Sequence, residues 1–489
     1  MSTTPNRAPE LAQGAARLSL VAIVLGLLGG CRVGPRYAAP SEPVPPAFKE
    51  AHAGASAGEW QPAQPRDEAL KGKWWERYGE PELDALEARL DISNQNIARY
   101  FQNFMAARAQ VGQARAGLLP TVALDPAFTR VGTGPALATS ANPRTGRSTV
   151  NTFVLPIDAS WEPDLWGRIR DTVREYQFAA QVSAADLENE RLTEQADLAE
   201  YFFQLRGQDA LQALYDRTVE ADRESLDLTR AQADTGIGGE AAVAQAEVTL
   251  ADAEAARTGV AVNRALYEHA IATLTGTPAS SFSMPVKELA TQVPAIPVGI
   301  PSQLLERRPD IASAERAMAQ ANAAIGVAQA AYYPSLNLTG SAGFMSSTLS
   351  NLVSAPAFFW SLGASASEAI FDAGLRKAVV AQDNAVYRAG VANYRQTVLT
   401  AFQQVEDSLA TLRILSRQKV QEQAATLAAQ RYLEIATARY QTGLDSYLAV
   451  VVAQTTLLAD QQTLVNLQVS ELTASVQLVQ ALGGGWIKD

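Results

Sequence analysis

The chain has 489 residues, a formal net charge of −11, one cysteine and two histidines. A single thiol closes no internal disulfide, and with so little histidine the usual Cys- and His-based metal or acid–base centres are excluded. The negative balance argues against a nucleic-acid partner, and no cofactor is implied.

At the N-terminus, Arg7 and Arg17 precede an apolar stretch from Leu18 to Leu28, followed by Gly29, Gly30 and Cys31. A basic end, a short hydrophobic core and small residues are the layout of a secretory signal. The core is shorter than the roughly 20 residues of a spanning helix. The site Leu28-Gly29-Gly30-Cys31 resembles a bacterial lipobox, which would make Cys31 the first residue of the mature chain and the carrier of lipid. Arg32 follows it, where many inner-membrane lipoproteins have Asp, so the expected address is the outer membrane. The alternative is an ordinary signal peptide with an incidental cysteine.

Downstream, proline and glycine set the boundaries. A helix over about 96–117 leads into extended sequence at 120–131, weakened by Asp125 and Pro126, and at 151–161. No proline occurs from Asp164 to Thr277 or from Ala357 to Asp489, which suits long helices. Gly207 is the only glycine within 168–234, and Gly390 the only one within 375–442. A helix over either range would be roughly 100 Å long. Asp164–Gly167 and Asp372–Gly374 fall where strand should become helix. The turns Thr235–Gly239 and Thr442–Leu444 separate the long helices, each with a glycine for a left-handed cap. After a proline-rich stretch (278–309), Pro309 and Asp310 start another helix, with Arg307 and Arg308 expected to pair structurally.

In the last helix Leu448, Val451, Thr455, Leu458, Gln462, Val465, Val469, Leu472, Val476 and Val479 step by three and four. Val398, Phe402, Val405, Leu409 and Leu412 do the same. A 3.5-residue period predicts left-handed coiled packing, with a looser amphipathic bundle as the alternative.

The chain repeats itself. "ARAGLLPTVAL" echoes "AQAAYYPSLNL", "ADTGIGGEAAVAQAEVTLAD" echoes "YQTGLDSYLAVVVAQTTLLAD", and "LTGTP" echoes "LGGGW". One unit of about 210 residues is duplicated, too long for a solenoid repeat.

The extended segments alternate. Phe153, Leu155, Ile157, Ala159 and Trp161 share one face, opposite Thr152, Asp158 and Ser160. Leu336, Leu338, Ala342 and Phe344 oppose Ser335, Asn337, Thr339, Ser341 and Gly343. Trp360, Leu362, Ala364 and Ala366 oppose Ser361, Gly363 and Ser365. Ten-residue segments with an apolar and a small polar face fit a transmembrane barrel with a wet lumen, though a half-buried soluble sheet would alternate too. Four strands cannot close a barrel. Two copies would give eight, which side chains fill, and three would give twelve, enough for an open duct.

"CRVGPRY", "WWERYGEPELDAL", "LLERRPDIASAE", "IGVAQAAYYPSLNL", "RYQTGL" and "ALGGGW" together resemble the TolC-like outer-membrane factors of tripartite efflux pumps, in their lipoprotein branch. The resemblance implies a mainly α chain whose homotrimer forms a twelve-stranded β-barrel, an α-helical periplasmic tube and an equatorial belt. It implies two partners, a periplasmic adaptor (membrane fusion) protein and an inner-membrane transporter, besides outer-membrane lipid. On that pattern 1–30 is the signal peptide and 31–95 a lipidated tail with an equatorial segment. The two repeats are 96–277 and 311–482, joined by an equatorial linker (278–310) and followed by a tail (483–489). The implied function is a passive exit duct for small molecules. Export of protein or siderophore is the runner-up, and a non-channel coiled-coil lipoprotein the remaining rival.

The family closes its periplasmic end at the two helix turns with acidic rings and a tyrosine. Tyr440 matches the tyrosine. Val452 and Ala242 stand where relatives often have aspartate, so Glu240 and Asp445 are the candidates for ring charge. Helix capping and first-turn charge are their alternative roles. No catalytic motif (GxSxG, HExxH, CxxC, Walker) is present, and Gly236-Ile237-Gly238 follows a helix and is not a phosphate loop. An enzyme is not expected.

Overall fold

The computed structural model describes residues 32–39, 45, 48–50, 72–133, 148–236, 239–289, 292–296 and 307–484. The expected signal peptide, Cys31 and most of the tail at 483–489 lie outside them. A 3₁₀ turn (Trp74–Tyr78) leads into α1 (Pro81–Ser93) and α2 (Gln95–Ala116). Strands β1 (Thr121–Leu124), β2 (Ala127–Thr133) and β3 (Ser148–Trp161) precede α3 (Arg168–Asp234) and α4 (Glu240–Leu274). The second half runs α5 (Pro309–Ala330), β4 (Ser335–Ser346), β5 (Phe358–Ser367), α6 (Leu375–Gln441) and α7 (Tyr447–Ala481).

The duplication is visible in the helix lengths. α2 and α5 have 22 residues each, α3 and α6 have 67, and α4 and α7 have 35. The ends match as well. Gly276 and Gly483 both adopt left-handed φ, and beyond them Thr277 and Gly484 donate N–H back to Ala272 and Val479 at 2.8 and 2.9 Å. Both pairs satisfy last-turn carbonyls that the helix leaves unbonded.

The described residues fall into two compact units. The first, drawn from 1–40, 105–181 and 315–392, contains the sheet. Its order is β1-β3-β4-β5, all antiparallel, with β2 also on β3. Leu124 pairs with Ile157 and Ala127 with Val154, so β1 and β2 are one strand in unbroken register, interrupted at Asp125-Pro126. Proline brings no N–H to the ladder there. The expected first strand is therefore present but in two pieces.

At each strand-to-helix junction an aspartate organises the bend. Asp164 accepts the N–H groups of Ile169 and Arg170 and the Arg170 guanidinium. Asp372 accepts those of Gly374 and Arg376 and the Arg376 guanidinium. Gly167 and Gly374 take left-handed φ beside them, as the sequence leads one to expect.

The second unit (41–104, 182–314, 393–489) holds the larger core. Trp74, Trp75 and Tyr78 are buried with Leu83, Leu90 and Ile97 against Phe202 and Phe203 of α3, Ile271 of α4 and Leu472, Val476 and Val479 of α7. The Tyr78 hydroxyl lies 2.7 Å from Ser475 Oγ, and burial pushes its pKa up. Arg308 is structural. It donates to Asp310, to Gln404 Oε1 at 2.8 Å and to the Ala481 carbonyl at 2.8 Å, closing the end of α7. The expected stripe of α7 is buried at Val451, Leu472, Val476 and Val479, but Leu448 is 60% exposed and its neighbours Tyr447 and Val450 are covered in its place.

Candidate functional site

Two surfaces carry the functional argument, one in each unit. In the first unit the register fixes which side chains share a face. Ile157 stands opposite Ala342, and Ala342 opposite Trp360; Leu155 stands opposite Phe344, and Phe344 opposite Phe358. The expected apolar set thus forms one continuous face across the sheet. Ring pairs Phe128–Phe153 and Phe344–Phe358, with centroids 4.6 and 5.9 Å apart, bridge neighbouring strands. This face is open. Leu362 is 81% exposed, Trp360 68% and Ile157 55%. In water such a surface costs about 25 cal/mol per Å²; against hydrocarbon it costs nothing.

The opposite face is small and polar near the helices. Thr121 pairs with Ser160, Ser160 with Thr339 and Thr339 with Gly363. Asp158 lies on it between Ala123 and Ser341. Among the described residues the outer edges of β1/β2 and β5 have no strand partner. Open edges of this length call for another strand.

The second surface is the pair of turns between long helices. α3 ends at Asp234 with Gly236 at φ 76°, and α6 at Gln441 with Gly443 at φ 72°. Glu240 is exposed in the first turn of α4, whose N-cap is Gly239. Asp445 does not cap α7; that position is Ser446. It pairs instead with Arg439 across the turn, with Nη2 3.2 Å from Oδ1. The guanidinium holds the Asp445 carboxyl below the usual carboxylate range.

Tyr440 packs on a cluster of Leu226, Ala246, Tyr447, Val450 and Val451, its ring centroid 5.2 Å from that of Tyr447. Its hydroxyl oxygen is buried without a hydrogen-bond partner among the described residues. The Tyr447 hydroxyl shares a 3.0 Å hydrogen bond with Ser225 Oγ. Ala242 packs on the same cluster, whereas Val452 is about half exposed. Tyr440 and Asp445 thus both flank the second turn, while Glu240 stands on the first.

Sequence reasoning missed Asp222, Ser225 and Arg439. Asp222 is 3% exposed, one turn before Leu226, and burial pushes its carboxyl up to about 6. The available signal was its spacing: Val219, Asp222, Leu226 and Thr229 lie on one buried face of α3.

Residues 84–277 and 300–484 match the model of the family described as outer membrane efflux protein. The chain is 32% identical over 476 residues to the antibiotic efflux pump outer membrane protein ArpC of Pseudomonas putida, covering 95% of each. It is 31% identical over 476 residues to the toluene efflux pump outer membrane protein TtgC, also of Pseudomonas putida, again covering 95% of each. The crystal structure of the CmeC outer membrane channel of Campylobacter jejuni superposes with a TM-score of 0.83 at 26% identity, covering 93% of this chain and 95% of that one. The chain belongs to the outer membrane efflux protein family.

Proposed function

We propose that the protein is the outer-membrane channel of a tripartite efflux system, a passive exit duct for small molecules. An inner-membrane transporter would deliver them through a periplasmic adaptor. The observation that carries this reading is the two-faced sheet among the described residues: an exposed apolar face, a small polar face and two unpaired edges, attached to 67-residue helices. Three copies pooling four strands each would close a wet twelve-stranded barrel. The efflux names of the relatives support the cargo class.

Within this reading Cys31 carries lipid, and Tyr440, Glu240 and Asp445 lie at the periplasmic entrance. The segmentation into a lipidated tail, two repeats and an equatorial linker belongs to the same proposal. In a homotrimer each turn would be presented three times around one axis, and exposed carboxylates there would favour cations.

The test is reconstitution. Protein extracted from outer membranes should migrate as a heat-sensitive trimer on gels and open discrete conductance steps in planar lipid bilayers. A preparation that folds, as judged by circular dichroism, yet gives neither behaviour would refute the channel.

A further inference from the structure

Residues 32–37 belong to the first unit, and nearly every one is held. The Arg32 Nε donates to Asp171 Oδ1 at 3.0 Å, and the Val33 N–H to the Trp166 carbonyl at 3.4 Å. Asn322 Nδ2 donates to the Pro35 carbonyl at 3.2 Å, and the Tyr37 hydroxyl bonds the Glu315 carboxylate. Gly34 crosses Gly326 of α5 so closely that a Cβ on Gly34 would come within 2.6 Å of the Gly326 Cα and 2.8 Å of Asp171 Oδ2. A Cβ on Gly326 would strike the same carboxylate oxygen.

Asp171 is the centre of this arrangement. It lies in the first turn of α3, its side chain is 0% exposed, and its second cation, Arg174, is itself partly exposed at 2.7 Å. Asp171 Oδ2 is buried without a hydrogen-bond partner among the described residues. A buried carboxylate stripped of one of its two cations is strongly disfavoured, so the Arg32 contact is held in place from both sides. Arg32 is thereby fixed at the start of α3, a few residues beyond the last residue of β3, Trp161.

We propose that Asp171 is a positioning residue that clamps the lipid-bearing N-terminus to the strand-to-helix junction. The acyl chains then enter the bilayer beside the apolar face of the sheet instead of from a free tether. This rests on the reading of Cys31 as lipidated. The clamp makes the anchor part of the folded body, and a tether fixed at its origin samples far less volume than a loose one.

The test uses the full-length lipidated protein in detergent. Trypsin can cut after Arg32, which is half-buried and paired with Asp171, only when the segment lifts off, and release of the N-terminal peptide is followed by mass spectrometry. Asp171→Asn leaves the residues next to Cys31 untouched, and Gly34→Val breaks the crossing from the other side. Each should speed release about tenfold, as expected of lost local protection, while Arg174→Gln stays within about twofold. Heat dissociation of the assembly should not change, which separates positioning from general instability. Release at the wild-type rate in both Asp171→Asn and Gly34→Val would overturn the clamp, as would equal release in Arg174→Gln. If one of the two variants does not accumulate, the other decides. An intact wild-type mass lacking the lipid would instead remove the lipidation reading, with protection of residues 32–37 still scored on the unmodified peptide.

Discussion

Tyr440 and Tyr447 face each other across the second turn, with ring centroids 5.2 Å apart and planes at 57°. One closes the end of α6 and the other opens α7, while Ser225 of α3 holds the second hydroxyl. The pair therefore ties both repeats together at the helix tips. Removing the Tyr440 ring by Tyr440→Ala should loosen the tips by about 1–3 kcal/mol. Tyr447→Phe, which loses only the hydroxyl contact, should cost about 1 kcal/mol. If these tips close the channel, Tyr440→Ala raises single-channel conductance in planar bilayers well above wild type and Tyr447→Phe raises it less. Wild-type conductance in Tyr440→Ala would mean that closure lies elsewhere.

The ion pair of Arg439 with Asp445 ranks the two acidic candidates. Asp445 has a cation on it and Glu240 has none among the described contacts. Glu240→Ala should therefore lower cation preference more than Asp445→Ala does. Arg439→Ala, which unmasks Asp445, should raise it. The measurement is the reversal potential across a bilayer in a salt gradient. An unaltered potential in all three variants would leave these groups with purely structural roles. Because the Asp445 pKa is lowered, the pair persists at neutral pH and weakens only as pH falls through the acid end of the carboxylate range.

Asp222 has the opposite sign. Burial raises its pKa from 3.8 to about 6, so the folded state holds a proton that the unfolded chain has released. That contribution is fully present below about pH 3.8 and is lost as pH rises through 6. Near pH 7.5 the wild type carries a buried ionised carboxylate. Asp222→Asn should then be more stable than wild type by about 1–3 kcal/mol, with the gain shrinking toward pH 4. Thermal melting followed by circular dichroism at the two pH values measures this. A gain of equal size at both would show that the charge is not the cause.

The helices and the sheet faces were legible because each is written locally. Proline and glycine bound 67 residues of good helix formers, and strict alternation sorts Ile157 from Asp158. Gly236 and Gly443 announce their turns for the same reason. What could not be read depends on contacts between distant residues. Arg308 meets the Ala481 carbonyl across a sequence separation of 173, and Gly34 reaches Gly326 only once α5 lies beside the N-terminal segment. Arg439 and Asp445 are near in sequence, but their pairing depends on how the turn redirects the chain. The exposure of Leu448 follows from the same limit, because a 3.5-residue period marks a stripe without naming which neighbour covers it.

Gly343 makes the sheet itself testable. It pairs with Pro156, and a Cβ on it would lie 2.7 Å from the Pro156 Cα and still closer to the Leu155 carbonyl oxygen. Both neighbours are backbone in the middle of the sheet and cannot rotate away. At Gly363 the obstacle is Thr339 Oγ1, 2.9 Å off, which a χ1 change can move. At Gly340 it is Leu362 Cδ2 at 3.3 Å, a flexible methyl. Alanine should therefore be worst at Gly343, about 1–3 kcal/mol, intermediate at Gly363 and nearly neutral at Gly340. The temperature at which the assembly dissociates on gels should fall in that order. Equal tolerance at Gly343 and Gly340 would mean that β3 and β4 do not approach each other as closely as Pro156 and Gly343 require.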